Sequence, residues 1–516
     1  MGGKGFLKHF WTRRKSDEPG SGDFIEEFED NEKEPTMSGL KTILSDSSDV
    51  IYQEHYINGN RNMPVTVVYI DGLVNTKQVN DDILKPLTQE RILGDVRGFR
   101  DLIELIEHGM VYHASRQIRT NLGDVLSDVL NGSVALVFDG EKKAVTFDAK
   151  GFEKRGITEP TTENAIKGAK DSFIEVLRVN TALVRRKIRT PYLRIRETVV
   201  GRQSRTPVAV IYIENLTNEE LVGEVVKRLD RIDVDGVITP GYIEEYIVDK
   251  RRTIFQQILN TERTDKFCSN IMDGRVGILI YGMPVAYVVP ATVNMFFQAP
   301  EDYSYNYIIS SFLRLLRYAA SLITLLFPAF YVSITTFHQE MIPTVLAVSI
   351  IRSKMEVPFP TVTSVFVMLI AFEMLLEAGL RLPRAIGQAV SIIGALVVGQ
   401  AAAQAKLISP IIIIVIAVTG IAGFIIPNQD MTNGLRIFRM VFVICSSIAG
   451  LYGLSLMVIV LVYHLSTIET FGVPYLSPFV ANEGKQTVED TVIRIPLPFM
   501  KKRPSSLKTT NKKRQE

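Results

Sequence analysis

Apolar positions along the chain change character near residue 308. Residues 1–307 alternate short β-rich runs with charged, helix-patterned segments, whereas 308–465 are mostly apolar. In the first region the run at 64–73, PVTVVYIDGL, recurs at 207–216 as PVAVIYIENL. Each copy precedes a helix-patterned segment, 77–87 in the first and 218–231 in the second. Each unit then ends in two β-rich runs joined through Gly-containing residues, the signature of a hairpin. These are 132–140 with 144–147, and 274–282 with 285–290. The first pair of matches is offset by 143 positions and the second by 142. Chance likeness between Val/Ile-rich strands is the alternative. The preserved order of strand, helix and hairpin favours two related α/β modules over 60–150 and 205–292.

Between the modules, Ile166, Ala169, Phe173, Val176, Leu177, Val184 and Ile188 follow helical spacing after Pro160 and Thr162. This predicted helix ends in Arg185, Arg186, Lys187 and Arg189, with Arg194, Arg196, Arg202 and Arg205 beyond. Such a run fits either a solvated face or a surface for anionic headgroups or an acidic partner. Residues 1–35 are too polar to build a core and read as a disordered arm. Phe6, Leu7, Phe10 and Trp11, among Lys4, Lys8 and Arg13–Lys15, give that arm a possible lipid contact.

The apolar half predicts membrane spans at 318–337, 359–376, 385–405, 411–426 and 437–465, with 341–351 too short to cross and read as re-entrant or broken. Arg314 and Arg317 precede the first span on the side assigned to the cytosol, and the basic tail should return there. That requires an even number of crossings, between four and six. Gly387, Ser391, Ala395, Gly399 and Ala403 recur every four residues and form a helix-packing stripe. Gln388, Gln400 and Gln404 lie on neighbouring faces, and Gln400 and Gln404 are candidates for a polar pathway. Glu373, Glu377 and Arg381 share one helix face. A carboxylate at membrane depth is costly, so Glu373 and Glu377 are ion-path candidates, although Glu377 also suits an interfacial pair with Arg381.

Composition narrows the functional classes. The 516 residues carry 58 Lys+Arg against 56 Asp+Glu, a net charge of +2 that argues against a nucleic-acid binder. Hydrophobic residues make up 46% and the mean hydropathy is +0.14. Two cysteines supply neither a disulfide framework nor a cysteine-rich zinc site. The start lacks an apolar signal-peptide core, which places the N-terminal region in the cytosol. There is no Walker A loop and no G-x-S-x-G elbow. Histidines 9, 55, 108, 113, 338 and 464 lack metal-ligand spacing. The expectation is a non-enzyme with no cofactor and no metal.

Several motifs in order resemble one family. They are RGITEPTTE at 155–163, LRVNTALVRR at 177–186, RIDVDG at 231–236, NTER at 260–263 and DGRV at 273–276. The apolar half adds VPFP at 357–360, EAGLRLP at 377–383 and FGVPYL at 471–476. Across about 60–503 the chain resembles the GerA-type spore germination receptor A subunits. The resemblance implies a subunit of a nutrient germinant receptor in the inner membrane of a bacterial spore. It implies a transporter-like B subunit and a lipoprotein C subunit as partners, and a homo-oligomer, a pentamer, forming an ion channel. It also implies a cytosolic region of two α/β subdomains. The family often carries two glutamates where this chain has Ser364 and Leu369, and an arginine where it has Asn306.

The sequence therefore predicts an α/β cytosolic region of two related subdomains followed by an all-α polytopic membrane domain. The boundaries are a disordered arm at 1–35, a first α/β subdomain at 36–150 and a helical, basic connector at 151–206. A second subdomain at 207–305, a transmembrane domain at 306–465 and a cytosolic tail at 466–516 follow. The expected function is a germinant-gated channel subunit in contact with membrane lipid. The alternatives are a non-conducting scaffold, a secondary transporter, and the homologous subunit type linked to dipicolinate release.

Overall fold

A computed structural model of the chain describes residues 33–89, 96, 98–108, 115–151, 160, 163, 167–381, 400–480 and 490–515. Two compact units divide it, one of residues 1–45 and 50–152, the other of 46–49 and 153–515.

The first unit holds α1 (Met37–Ile43), β1 (Val50–Tyr56), β2 (Pro64–Ile70), a helical stretch α2 (76–89), α3 (Phe99–Glu107), β3 (Arg116–Arg119), α4 (Leu122–Leu130), β4 (Val134–Phe138) and β5 (Lys143–Phe147). Its strands form one antiparallel sheet in the order β1-β2-β4-β5-β3. Val65, Val67, Leu136 and Val145 of this sheet pack with Ile83 of α2 and Leu102 and Ile106 of α3.

The second unit opens with α5 (Leu177–Lys187), β6 (Leu193–Val200), β7 (Thr206–Ile213), α6 (Glu219–Asp230), α7 (Gly241–Ile247), β8 (Leu259–Thr261), α8 (Thr264–Met272), β9 (Val276–Ile280) and β10 (Ala286–Val289). The strand order β6-β7-β9-β10-β8 repeats that of the first sheet. The register repeats as well. Thr66 pairs with Val137, and Ala209 pairs with Leu279, the positions reached by offsets of 143 and 142. Val134 pairs with Phe147, and Val276 with Val289, both offset by 142. A one-residue slip would turn every inward side chain outward, so a shared register carries the duplication further than strand order alone.

Two sequence expectations change here. The helix predicted from 166 begins only at Leu177; Ile166 lies outside the described residues. Phe173 N–H instead bonds Glu262 O at 2.8 Å, and the Asn180 amide bonds both Ile174 N and O. The apolar spacing persists because Phe173 still packs into the core without being helical. The segment read as a connector also contains β6, the first strand of the second sheet. Its alternating arginines disguised it. Much of the basic run is absorbed by internal pairs: Arg185 with Asp49, Arg194 with Glu214, Arg196 with Asp46 and Arg202 with Asp233.

The helical domain follows as α9 (Tyr307–Thr336), α10 (Thr344–Lys354), α11 (Thr361–Arg381), α12 (Pro410–Ile425) and α13 (Gln429–Ser466). The sequence reads 437–465 as one span. The structure shows a reversal inside α13 at Ala449 and Gly450, whose backbone is non-helical. Phe438 and His464 have ring centroids 6.1 Å apart. A straight helix would separate them by roughly 39 Å at 1.5 Å per residue. Residues 429–448 and 451–466 are therefore two antiparallel helices. Gly453 backs onto the Cys445 carbonyl, where a Cβ would come within 2.3 Å. The small residues at the turn permit this approach.

Candidate functional site

The ends of these helices fall into two sets. One set abuts the second α/β module. Asn260 bonds Asp430 at 2.9 Å, Thr253 bonds His464 at 2.8 Å, and Phe255 stacks on Phe438. Both ends of the α13 hairpin thus sit at the module. Its tip lies at the opposite end, where a Cβ on Gly450 would meet Phe337 at 2.9 Å, just past the end of α9. Ser353 of α10 and Ser409 before α12 are hydrogen-bonded at 2.9 Å, and Glu356 pairs with Lys406 at 2.7 Å. Since α12 runs directly into the module end of α13, Ser409 belongs to the far end. The 11-residue α10 begins and finishes there.

The base of α9 is bolted to the module by charge. Arg314 Nε donates to Asp302 Oδ2 at 2.8 Å, and Arg317 Nη1 donates to both Asp302 oxygens at 2.8 Å. Asp302 and Arg314 are fully buried. A second carboxylate, Asp490 of the tail, accepts from Arg314 at 2.9 Å and from the Tyr303 hydroxyl at 2.9 Å. Burial, and then the nearby Asp490 charge, push the Tyr303 phenol above its ordinary value and keep it a donor. Asn306 caps α9 by accepting from Ile308 N at 3.0 Å.

The tail is an integral part of this region. Val293 N bonds Tyr475 O at 2.8 Å, Thr470 Oγ1 bonds Ala291 O at 2.9 Å, and Thr510 N bonds Leu216 O at 3.1 Å. Tyr475 is fully buried.

Within the helical domain the ionisable residues converge on Glu373 of α11. Its carboxylate accepts from Arg436 Nε at 2.7 Å, and is also bonded by Arg436 Nη2 and Arg439 Nη2, both on α13. The Arg439 side chain is 1% exposed and that of Glu373 24%. One carboxylate between two guanidiniums leaves a local charge of +1. Glu373 here is a clasp between two helices rather than a bare cation ligand. The sequence reading singled out Glu373 but missed its partners. Arg439 was visible as an ionisable residue inside the apolar run 437–465, and that signal was sufficient to find it.

The other sequence candidates separate from this cluster. Glu377 pairs with Arg381 at 2.6 Å, and both side chains are exposed. Gln400 and Gln404 are exposed and Ala403 is half-buried. Gly387, Gln388, Ser391, Ala395 and Gly399 lie outside the described residues. Ser364 and Leu369 are both buried, and Ser364 Oγ has no hydrogen-bond partner among the described residues. Among the described residues no group of three or more His, Cys, Asp or Glu side chains is placed to hold a metal ion.

In the second unit, an α/β module joined through buried ion pairs to a bundle of apolar helices defines a membrane-protein architecture. Among the described residues, α9, α11 and the apolar stretch of α13 are long and apolar enough to cross a bilayer. The family model described as Bacillus/Clostridium GerA spore germination protein matches residues 38–506, and the chain belongs to that family. Spore germination protein KA of Bacillus subtilis (strain 168) is 38% identical over 480 residues, which cover 93% of this chain and 87% of that protein. Spore germination protein B1 of the same organism is 36% identical over 476 residues, covering 92% and 97%. A crystal structure of the N-terminal domain of the A subunit of the Bacillus megaterium spore germinant receptor GerK3 is 30% identical. It covers 50% of this chain and 96% of that domain, with a TM-score of 0.40. The chain is thus of the spore germination receptor A-subunit type.

Proposed function

We propose that this chain is the membrane subunit of a nutrient germinant receptor, and that copies of it assemble into an ion channel opened by germinant. Its partners are a transporter-like B subunit and a lipoprotein C subunit, and its place is the inner membrane of the spore. The α/β modules and the tail are cytosolic.

The helix ends support a topology of six crossings. From the module end, α9 runs out and α11 returns. Arg381 lies at the module end of α11 and Lys406 at the far end, which fits the span that the sequence predicts at 385–405. Then α12 returns, and the α13 hairpin runs out and back. The even count brings the tail to the module on which it packs. It also leaves Arg381 on the cytosolic side, as the positive-inside bias requires. This follows because α10 does not cross.

The observation that carries the gating reading is the Glu373 clasp. It ties α11 to the first half of α13 close to the module end, where α9 and α13 are themselves tied to the α/β region. A germinant signal that strains the module favours the state in which the clasp is parted. Freed from its arginines, Glu373 becomes an anionic group able to line a cation pathway. The scaffold reading keeps one specific support, the apolar packing of Leu369 and the burial of Ser364 at positions often acidic in the family.

Reconstitution into vesicles tests the proposal. The chain alone, and the chain with B and C partners, are assayed for ion flux with and without candidate germinants. Germinant-dependent flux that requires this chain upholds it. A folded complex that binds germinant and never conducts selects the scaffold.

A further inference from the structure

The second module and the C-terminal tail together enclose a polar cavity of about 290 Å³. Asp273 and Arg275, at the turn between α8 and β9, form one wall, and tail residues form the other. Its cationic lining residues, Arg275, Lys501, Lys502, Arg503 and Arg514, outnumber the two carboxylates, Asp273 and Asp490. Both carboxylates are already engaged. Asp490 accepts from Arg314 and Tyr303, and Asp273 lies 3.1 Å from Arg514 and 3.6 Å from Arg275.

Two arginines are weakly paired, Arg275 meeting Asp273 only at 3.6 Å. Arg275 is 4% exposed, and its Nε donates to Pro290 O at 3.3 Å. Among the described residues Arg503 donates to carbonyls, those of Met272 at 3.1 Å, Asn511 at 3.3 Å and Lys513. Burial pushes both guanidiniums below their ordinary values, Asp273 offsetting part of this, and pushes the Asp273 carboxyl above its own. An independent observation points into the same space. Ser477 lines the cavity, is 1% exposed, and its Oγ has no hydrogen-bond partner. A buried hydroxyl without a partner carries a desolvation penalty that a bound acceptor would remove.

We propose that this cavity binds a compact oxyanion, of the phosphate or carboxylate class, held by Arg275 and Arg503 and accepting a hydrogen bond from Ser477. Guanidiniums present paired N–H groups that match the oxygens of such an anion. The site is completed only when the tail is seated, because Ser477 and Arg503 belong to the tail and Arg275 to the module. Occupancy therefore fastens the tail, and with it Asp490, against the base of α9. The anion links solution chemistry to the clamp at the root of the first membrane helix.

The test is calorimetric titration of the full-length chain in nanodiscs of neutral lipid, with inorganic phosphate at constant ionic strength. Saturable binding, weakened about tenfold or more in Arg503→Gln, is the expected result. Ser477→Ala should weaken it to a smaller degree. Arg202→Gln, in an exposed pair with Asp233 outside the cavity, should leave it unchanged. Nanodiscs of anionic phospholipid distinguish the source of the oxygens. Phosphate binding that persists in them assigns the site to a soluble anion, and competition assigns it to a lipid phosphate. No saturable binding at millimolar phosphate by the folded chain, or equal weakening by Arg202→Gln, overturns the proposal.

Discussion

Replacing Glu373 with Gln should do more than remove one charge. It leaves Arg439, 1% exposed, and Arg436, 19% exposed, facing each other without their shared carboxylate. Each pair at about 4 Å is worth roughly 4 kcal/mol of gross attraction at an effective dielectric of 20. Much of that offsets desolvation, so the net cost is better judged from broken buried pairs, about 3–5 kcal/mol. Because Glu373 retains some exposure, the lower end, about 3 kcal/mol, is expected here. If the clasp holds only the closed arrangement, about 3 kcal/mol shifts the closed-to-open ratio roughly 150-fold. Thermal unfolding of the purified chain in mild detergent measures the stability part. A double-mutant cycle with Arg439→Gln isolates the pair, with an expected coupling of about 2 kcal/mol. Single-mutant effects that add to within about 0.5 kcal/mol would refute the clasp as an energetic unit.

Other expectations address the second unit. Asp49→Asn breaks the two-pronged pair in which Arg185 donates at 2.8 and 2.9 Å, with both side chains 1% exposed, and should cost about 3–5 kcal/mol in denaturant unfolding. Gly277→Ala places a Cβ 2.1 Å from the Phe267 ring and should destabilise by about 1–3 kcal/mol in the same assay. Burial alone would raise the Asp171 carboxyl, but hydrogen bonds from Thr264 and Lys187 outweigh it and hold its value below the ordinary one. Its contribution is therefore present above roughly pH 4 and is lost as pH falls through the depressed folded value. Asp171→Asn should lower stability by about 1 kcal/mol near neutrality, with the difference from wild type closing in acid; a pH-independent difference would contradict this.

How much of this could be read from the sequence follows from what each element needs. The modules were legible because β2 and β7, and the two hairpins, are buried strands whose apolar runs repeat at nearly one offset. Strand β6 was not, because its arginines, Arg194 buried and Arg196 exposed, find acidic partners in Glu214 and Asp46 that only the fold brings close. In the helical domain, apolar length located α9, α11 and α12. It could not reveal the α13 reversal, because an apolar run continues unbroken through a hairpin whose turn is made by Ala449 and Gly450. Glu373 was found by its cost in a membrane. Its role was hidden because Arg436 and Arg439 lie more than sixty positions away, and only packing of α11 on α13 joins them. The tail's lysines say only that it is cytosolic, and nothing in them shows that Tyr475 and Leu507 are buried.

The central claim is that the clasp sets the resting state of a conducting receptor. The most direct measurement is ion flux through vesicles holding the chain with its B and C partners, comparing wild type, Glu373→Gln and the exchange Glu373→Arg with Arg439→Glu. The account predicts germinant-dependent flux for wild type, leak without germinant for Glu373→Gln, and restored closure for the exchange. Wild-type gating in Glu373→Gln, from a folded complex with normal germinant binding, would contradict it.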